Sequence, residues 1–262
     1  MHKHQKFLAF DTSTDVMSVA VTNGVQVWQH SGPGGAKSST TLIPAILALL
    51  ADAGLELGEL DAVVFGRGPG SFTGLRTACA VAQGLAFGAN RGAGIPVLPI
   101  DTLMAVAEEA RFHLQHQGEQ PLRITALLDA RMDEMYVNSY EFSGSNCHQT
   151  GECELIRPEN LRLDNACTLL AGNVFGVYAD RFSEEVMRFA RAQALPTASA
   201  LLRLAPALAA SGQCVDAALA LPLYVRDKVA LTTEERDKVK RDKAEAALAA
   251  DLTHAHPTFP AN

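Results

Sequence analysis

The sequence lacks the cysteine pattern of a zinc site or of a disulfide framework. Its five cysteines, in a chain of 262 residues, are odd in number and scattered, and none belongs to a CxxC pair. The chain also lacks a run of about 20 strongly apolar residues that could cross a membrane, and its N-terminus has no apolar signal-peptide core. These absences predict a cytoplasmic protein with reduced thiols.

Basic charge is scarce as well. The chain has 22 Lys and Arg residues against 29 Asp and Glu residues, which gives a net charge of −7. A protein that binds nucleic acid by itself usually has a basic face, so we expect another subunit to bind most of any nucleic acid. With 48% hydrophobic and 19% charged residues, the composition is typical of a well-buried globular protein.

The most distinctive stretch is the glycine-rich segment GRGPGSFTGLR at residues 66–76. It follows an apolar run, Leu60 to Phe65, that predicts a buried strand, and it leads into a predicted helix. Free backbone N–H groups at such a helix N-terminus attract phosphates. However, the segment lacks the Lys of a Walker loop and the glycine spacing of a dinucleotide fingerprint. The residues alone therefore favour a tight strand-to-helix turn, and its candidate functional positions are Gly66, Gly68, Gly70, Ser71, Thr73, Gly74 and Arg76.

The chain is predicted to contain two similar halves. In the first half a strand ends at Asp11 and a new strand begins at Val16; in the second half a strand ends at Asp129 and a new strand begins at Glu134. Each half continues with a third strand and with helices, which indicates a duplicated βββαβα unit. The predicted lobes are residues 1–118 and 119–231, followed by a helical extension and tail at residues 232–262.

Individual elements are predicted from hydrophobic periodicity and from cap and turn residues. Helices are expected to begin near Ser39, Gly74, Asp101 and Thr197, and a loop is expected at residues 31–35, after a strand at residues 25–30. Residues 221–226 are expected to be extended. Thr232 and Glu235 form a capping box, which predicts a further helix to about residue 250.

Four motifs together resemble the bacterial TsaB (YeaZ) family. They are FDTST at residues 10–14, GRGPGSFTGLR at 66–76, QGLA at 83–86 and DARMDEMY at 129–136. The segment PLYVR at residues 222–226 is also similar to the C-terminal end of that family. The resemblance covers residues 6–230. It implies an α/β fold of the actin, hexokinase and Hsp70 (ASKHA) type, with duplicated βββαβα lobes.

The resemblance also implies a role. TsaB-like proteins pair with a catalytic relative, TsaD, and an ATPase, TsaE, joins the complex, which makes threonylcarbamoyl-adenosine beside the tRNA anticodon. TsaB-like chains lack the metal-binding histidine pair of TsaD, so we expect a partner subunit without independent activity. The alternatives are an autonomous ATPase or phosphotransferase of the same fold and, less favoured, a metal-dependent peptidase. Turnover by the purified chain would distinguish an enzyme from a partner subunit.

In the ASKHA fold the two hairpin turns hold the phosphates and magnesium of ATP. The resemblance therefore makes Asp11, Thr12, Ser13, Asp129 and Arg131 candidates for nucleotide or phosphate binding. In the competing interpretation, both acids only cap hairpin turns by accepting hydrogen bonds from backbone N–H groups. The pair Gly172-Asn173 stands where a glycine pair for adenosine would be expected, so we expect no resident cofactor and weak or absent ATP binding by the chain alone.

Histidines give no convincing metal site. His113 and His116 are three residues apart and could share one helix face, but no acid completes a ligand set with them. Likewise, no His and acid stand in a recognisable relation to Ser71, as a serine protease would need. We therefore predict no metal and no catalytic residue.

Two predicted helices are apolar on all sides. The run from Ser39 to Ala51 and the run from Thr77 to Asn90 contain no charged residue. A surface helix normally has a polar stripe opposite its buried one, so a helix without such a stripe is covered on both sides. We predict that these helices form the interface with a TsaD-like partner and, when the chain is alone, with a second copy in a homodimer. The predicted interface residues are Leu42, Ile46, Thr77, Ala80, Val81, Gly84 and Gly88.

Overall fold

A computed structural model describes residues 4–115, 121–144, 146–164 and 166–226, and all structural statements below concern these residues. Some predictions therefore lie outside the described residues. These are the role of His116, the capping box at Thr232 and Glu235, and the helical extension with its tail. The predicted lobe boundary between residues 118 and 119 also falls within such a gap, and it stays a prediction.

The first half forms a mixed five-stranded sheet with the order β3-β2-β1-β4-β5. Strand β1 pairs antiparallel with β2 and parallel with β4, so the hairpin and the strand that precedes the glycine turn are neighbours. The strands are β1 (Phe7–Asp11), β2 (Val16–Thr22), β3 (Val27–Pro33), β4 (Ala62–Gly68) and β5 (Val97–Asp101).

One prediction in this sheet is wrong. Residues 31–35 were expected to form a loop, but β3 continues to Pro33, because Ser31 pairs with Ser18 and Pro33 pairs with Val16 on β2. Strand β3 is at the edge of the sheet. A proline is tolerated there, since its missing N–H removes no central ladder bond.

Helices cover both faces of the first sheet. Helices α1 (Ser38–Ala53) and α2 (Phe72–Gly88) pack on one face, against side chains such as Leu8 and Phe10 of β1. The other face is covered by α5 (Ala198–Ala210), a helix of the second half, which packs on β1 and β2. The side chain of Thr197 caps α5 by accepting the N–H of Ala200 at 3.0 Å.

The second half forms a six-stranded sheet, and α3 (Thr102–His113) packs on it. Its main path has the order β11-β10-β6-β7-β8, and β9 also pairs with β7. A third strand of this half was expected at residues 151–156, but only the last part of that range is a strand, β9. A further short strand, β8, precedes the range, and β8 and β9 pair with different parts of β7. The strands are β6 (Leu122–Asp129), β7 (Met135–Ser143), β8 (Asn146–Gln149), β9 (Glu154–Ile156), β10 (Leu169–Gly172) and β11 (Arg191–Gln193), and a short helix, α4 (Glu184–Met187), precedes β11.

The two halves share one plan. Each begins with an antiparallel hairpin whose first strand ends in an aspartate, Asp11 or Asp129, and each pairs that strand with a parallel neighbour, β4 or β10. The duplication that the sequence predicts is therefore confirmed, and the architecture is an α/β fold of the ASKHA type. Helix α5 nevertheless belongs to the second half and packs against the first sheet, so the core of the first half includes a helix from the second.

Candidate functional site

The glycine turn between β4 and α2 is built by close packing against the first hairpin turn. The N–H of Ser71 donates to the Ser13 carbonyl at 2.7 Å, and the Thr12 hydroxyl donates to the Gly74 carbonyl at 2.7 Å. A Cβ on Gly70 would lie 2.6 Å from Ser13, and a Cβ on Gly74 would overlap the carbonyl oxygen of Thr12. Glycine is required here because two backbone segments touch.

A C-terminal segment, residues 217–225, lies over the same turn; we call it the strap. The N–H of Leu223 donates to the Arg67 carbonyl at 2.7 Å. Gln83 of α2 donates to the buried Ala220 carbonyl at 3.0 Å. Gly68 has a φ of +120°, and a Cβ on this residue would lie only 2.6 Å from the carbonyl oxygen of Leu223. Residues 221–225 of the strap overlap the segment that was predicted to be extended, 221–226, and they belong to none of the described strands.

Asp11 ends β1 beneath this turn and is completely buried. One carboxylate oxygen accepts the N–H and the hydroxyl of Ser13, at 2.8 and 2.6 Å, and the other accepts the Thr102 hydroxyl at 3.4 Å. Burial raises the pKa of Asp11 to about 6, although the bonds from Ser13 and Thr102 lower it. Asp11, Thr12 and Ser13 are 0%, 0% and 3% exposed, so a ligand could contact them only if the turn opened.

The second hairpin turn is more open. Asp129 accepts the hydroxyl of Tyr178 at 2.7 Å and the N–H of Arg131 at 3.0 Å. Burial, with this bond to Asp129 as a smaller contribution, raises the pKa of Tyr178 to about 12. The guanidinium of Arg131 reaches the first hairpin turn, where it pairs with Asp15 at 2.6 Å. The hairpin turns are thus joined by an ion pair between two exposed side chains.

Gly172 and Asn173, at the position expected for adenosine binding, both contact other parts of the protein. A Cβ on Gly172 would overlap the carbonyl of Leu127 on β6, so this glycine lets β10 approach β6 closely. The side chain of Asn173 accepts the N–H of Asp129 at 2.9 Å. Both residues therefore have structural contacts within the protein.

The turn from Arg131 to Asp133 is strained. Arg131, Met132 and Asp133 have φ values of +61°, +56° and +62°, and none of them is a glycine. A left-handed conformation costs about 1 kcal/mol or more for most residues with a Cβ, but Asp and Asn tolerate it, so the strain lies mainly at Arg131 and Met132. The side chain of Met132 is exposed at the tip of this turn.

Replacing Met132 by asparagine is expected to raise the free energy of unfolding by about 1 kcal/mol, because asparagine tolerates positive φ. Urea unfolding would measure this gain. Met132→Ala is the matched control, since it shortens the side chain but keeps the strained backbone. Equal stability of the two variants would contradict the assignment of strain to this residue.

The structure corrects part of the predicted partner interface. Leu42 and Ile46 are 1% and 0% exposed and lie in the core beneath α1, so they cannot form a surface. Ala80, Gly84 and Gly88 are exposed along α2, and Thr77 and Val81 are partly exposed. Other exposed apolar residues of these helices, outside the predicted interface set, are Ile43 and Leu47 on α1 and Phe72 and Phe87 on α2.

In the part of the chain that the structure describes, no group of three His, Cys, Asp or Glu side chains is arranged to hold a metal ion. His113 pairs with Glu109 at 3.4 Å and is exposed. None of the helices in that part is long and apolar enough to span a bilayer.

Together these features define a class: a two-lobed ASKHA-type protein with a glycine turn that contacts its own first hairpin. A family model described as TsaD, tRNA N6-adenosine threonylcarbamoyltransferase, matches residues 29–233. The TsaB protein of Escherichia coli is 30% identical over 231 residues, which cover 86% of this chain and 96% of that protein.

Two further comparisons agree. The TsaB protein of Haemophilus influenzae is 44% identical over 129 residues, a match that spans about half of each protein (49% and 51%). The solved structure of YeaZ from Pseudomonas aeruginosa is 35% identical to this chain and matches it with a TM-score of 0.74. The match covers 84% of this chain and 99% of the YeaZ chain. The chain belongs to the TsaB (YeaZ) family.

Proposed function

We propose that this chain is a partner subunit that supports a TsaD-like enzyme in the threonylcarbamoylation of the adenosine beside the tRNA anticodon. The names of its relatives place them in the biosynthesis of threonylcarbamoyladenosine. The buried Asp11 turn supports the further proposal that this chain does not itself turn over ATP. Neither the comparisons nor the site favours a peptidase or an autonomous ATPase.

The observation that carries the subunit role is a helical surface with almost no charge. Between Ser38 and Ala51, the exposed positions of α1 have no charge, and on α2 the exposed stripe consists mainly of small residues and Phe87. We call this face of α1 and α2 the docking surface. Small residues allow helices of two subunits to approach closely, and an apolar surface of this kind on a monomer marks an interaction site.

The proposed partners come from the family to which the chain belongs, and the docking surface and the net charge are consistent with them. We propose that the docking surface binds the TsaD-like subunit in the cell and a second copy of this chain when the chain is alone. A TsaE-like ATPase would join the resulting complex. With a net charge of −7 the chain has little attraction for RNA, so tRNA would be bound only through the complex.

Arginine at Ala80 or Gly84 is expected to abolish binding to the TsaD-like subunit of the same organism. The long charged side chain would prevent close helix contact and would be desolvated without a partner. Co-purification and isothermal titration calorimetry would measure the loss, and light scattering would measure self-association in parallel.

Ala210→Arg is the matched control, because Ala210 is exposed on α5, a helix that covers the opposite face of the first sheet. This variant should bind normally. If Ala80→Arg and Gly84→Arg also bind normally, the docking surface is not the interface and the proposed subunit contact is wrong.

A further inference from the structure

One charged side chain stands on the otherwise uncharged stripe of α2. Arg76 is exposed, and it lies one helical turn before Ala80 on the same side of the helix. Among the residues that the structure describes, no carboxylate lies within 4.0 Å of its guanidinium, although Arg67, Arg123, Arg131 and Arg203 all pair with acids. Within the described part of the chain Arg76 thus has no ion-pair partner, and it lies on a surface that we propose to be covered.

The guanidinium of Arg76 is held in place by aromatic rings. It stacks on the ring of Phe72 at 3.8 Å from the ring centre, and its Nε donates to the Tyr224 hydroxyl at 3.3 Å. The rings of Phe72 and Tyr224 are themselves 5.2 Å apart. Stacking fixes the plane of an arginine and leaves its terminal nitrogens available for bidentate binding of a carboxylate.

The strap contributes to this arrangement. Tyr224 is placed by the backbone bond from Leu223 to Arg67, and Leu219 and Leu221 of the strap are exposed beside α2. The aromatic stack thus joins the strap to the first turn of α2, next to the docking surface. This position fits a contact made when α2 meets a partner.

We propose that Arg76 is a specificity-determining residue of the docking surface, where it binds a carboxylate of the TsaD-like partner. The inference rests on the proposed function and adds the chemistry that selects the partner. A guanidinium that becomes covered needs an anion, since an unpaired buried charge is costly. The surrounding apolar surface would strengthen the ion pair by excluding water.

Arg76→Gln is expected to weaken binding of the TsaD-like subunit by about 30-fold, as for loss of one member of a buried charge pair. Arg76→Lys should recover only part of this loss, because lysine presents neither the planar fork nor the stacking surface. Binding of the unmodified chain should weaken with added salt, and this dependence should be smaller for Arg76→Gln. Calorimetry at two salt concentrations would measure all three effects.

Charge reversal separates recognition from a merely structural role. Arg76→Glu should not bind, and a lysine or arginine at one acidic residue of the partner should restore binding to this variant. Arg188→Gln is the matched control, because it removes an exposed arginine from the second half and should leave binding unchanged. The melting temperature of the isolated Arg76→Gln chain should be close to that of the unmodified chain.

Three outcomes would overturn the proposal. If Arg76→Gln binds normally while Ala80→Arg does not, the docking surface is the interface but Arg76 does not select the partner. If neither variant affects binding, the proposed function fails at its interface. If Arg76→Gln and Asp52→Asn weaken only self-association, Arg76 pairs with the exposed Asp52 of a second copy rather than with the TsaD-like subunit.

Discussion

Gly74→Ala is expected to lower the free energy of unfolding by about 3 kcal/mol, at the upper end of the usual cost of overpacking. The added Cβ would overlap the carbonyl oxygen of Thr12, so the glycine turn and the first hairpin turn would have to separate. Separation would also weaken the hydrogen bond from the Thr12 hydroxyl to the Gly74 carbonyl. For a chain of this size, the loss corresponds to a melting temperature lower by about 10 °C.

The same helix provides a matched control. Gly84 also lies within α2, but a Cβ there would have no neighbour within 4 Å. Gly84→Ala is therefore expected to leave stability unchanged or to raise it by about 0.5 to 1 kcal/mol, because alanine favours the helix. Calorimetric melting of both variants without ligand would decide, and equal melting temperatures would contradict the close-contact explanation for Gly74.

The backbone role of this turn could be predicted from sequence because the signal is local. Several glycines between a strand and a helix, without a Walker lysine, indicate a chain that must approach another backbone segment. What the sequence could not identify is that segment. The contact joins Gly70 and Gly74 to Ser13 and Thr12, residues about 60 positions earlier, and only the fold brings them together.

The buried faces of α1 and α2 were harder to predict. Because α1 is apolar on all sides, its periodicity gives no indication of which leucines and isoleucines face the sheet. Leu42 and Ile46 turned out to face the core, whereas Ile43 and Leu47 are exposed. The prediction of an uncharged helix pair was therefore useful, but the choice of side chains needed the sheet on which α1 packs.

Two other features of the site depend on long-range contacts. The strap reaches α2 from more than 130 residues further along the chain, through bonds such as that from Gln83 to Ala220. Arg131, Met132 and Asp133 have positive φ values although none of them is a glycine, so their residue types did not predict this backbone conformation. Such strain is visible only once the second hairpin is formed.

Asp11 should make the protein less stable as the pH rises. Burial raises its pKa from an ordinary 3.8 to about 6, so the native state holds its proton more tightly than the unfolded state does. Well below pH 3.8 the carboxyl is protonated in both states, and its contribution to stability is full. As the pH rises through this value and past pH 6, the unfolded state ionises first, and this contribution falls by about 3 kcal/mol in total.

Asp11→Asn isolates this effect, because asparagine resembles the protonated carboxyl and does not titrate. Its oxygen can still accept the N–H and hydroxyl of Ser13, and its amide can donate to the Thr102 hydroxyl. The stability of Asp11→Asn relative to the unmodified chain is therefore expected to increase by about 2 kcal/mol between pH 4 and pH 7. Other carboxylates titrate equally in both proteins and cancel from the difference.

Urea unfolding of both proteins at pH 4, 5, 6 and 7 would measure this difference. Ser13→Ala offers a second check, since it removes a hydrogen bond that lowers the pKa of Asp11 and should extend the fall in stability to higher pH. Carbon-13 NMR of the Asp11 carboxyl would show its titration directly. A difference between Asp11→Asn and the unmodified chain that stays constant with pH would mean that Asp11 is ionised throughout, and that the first hairpin turn is open to water rather than closed by the glycine turn.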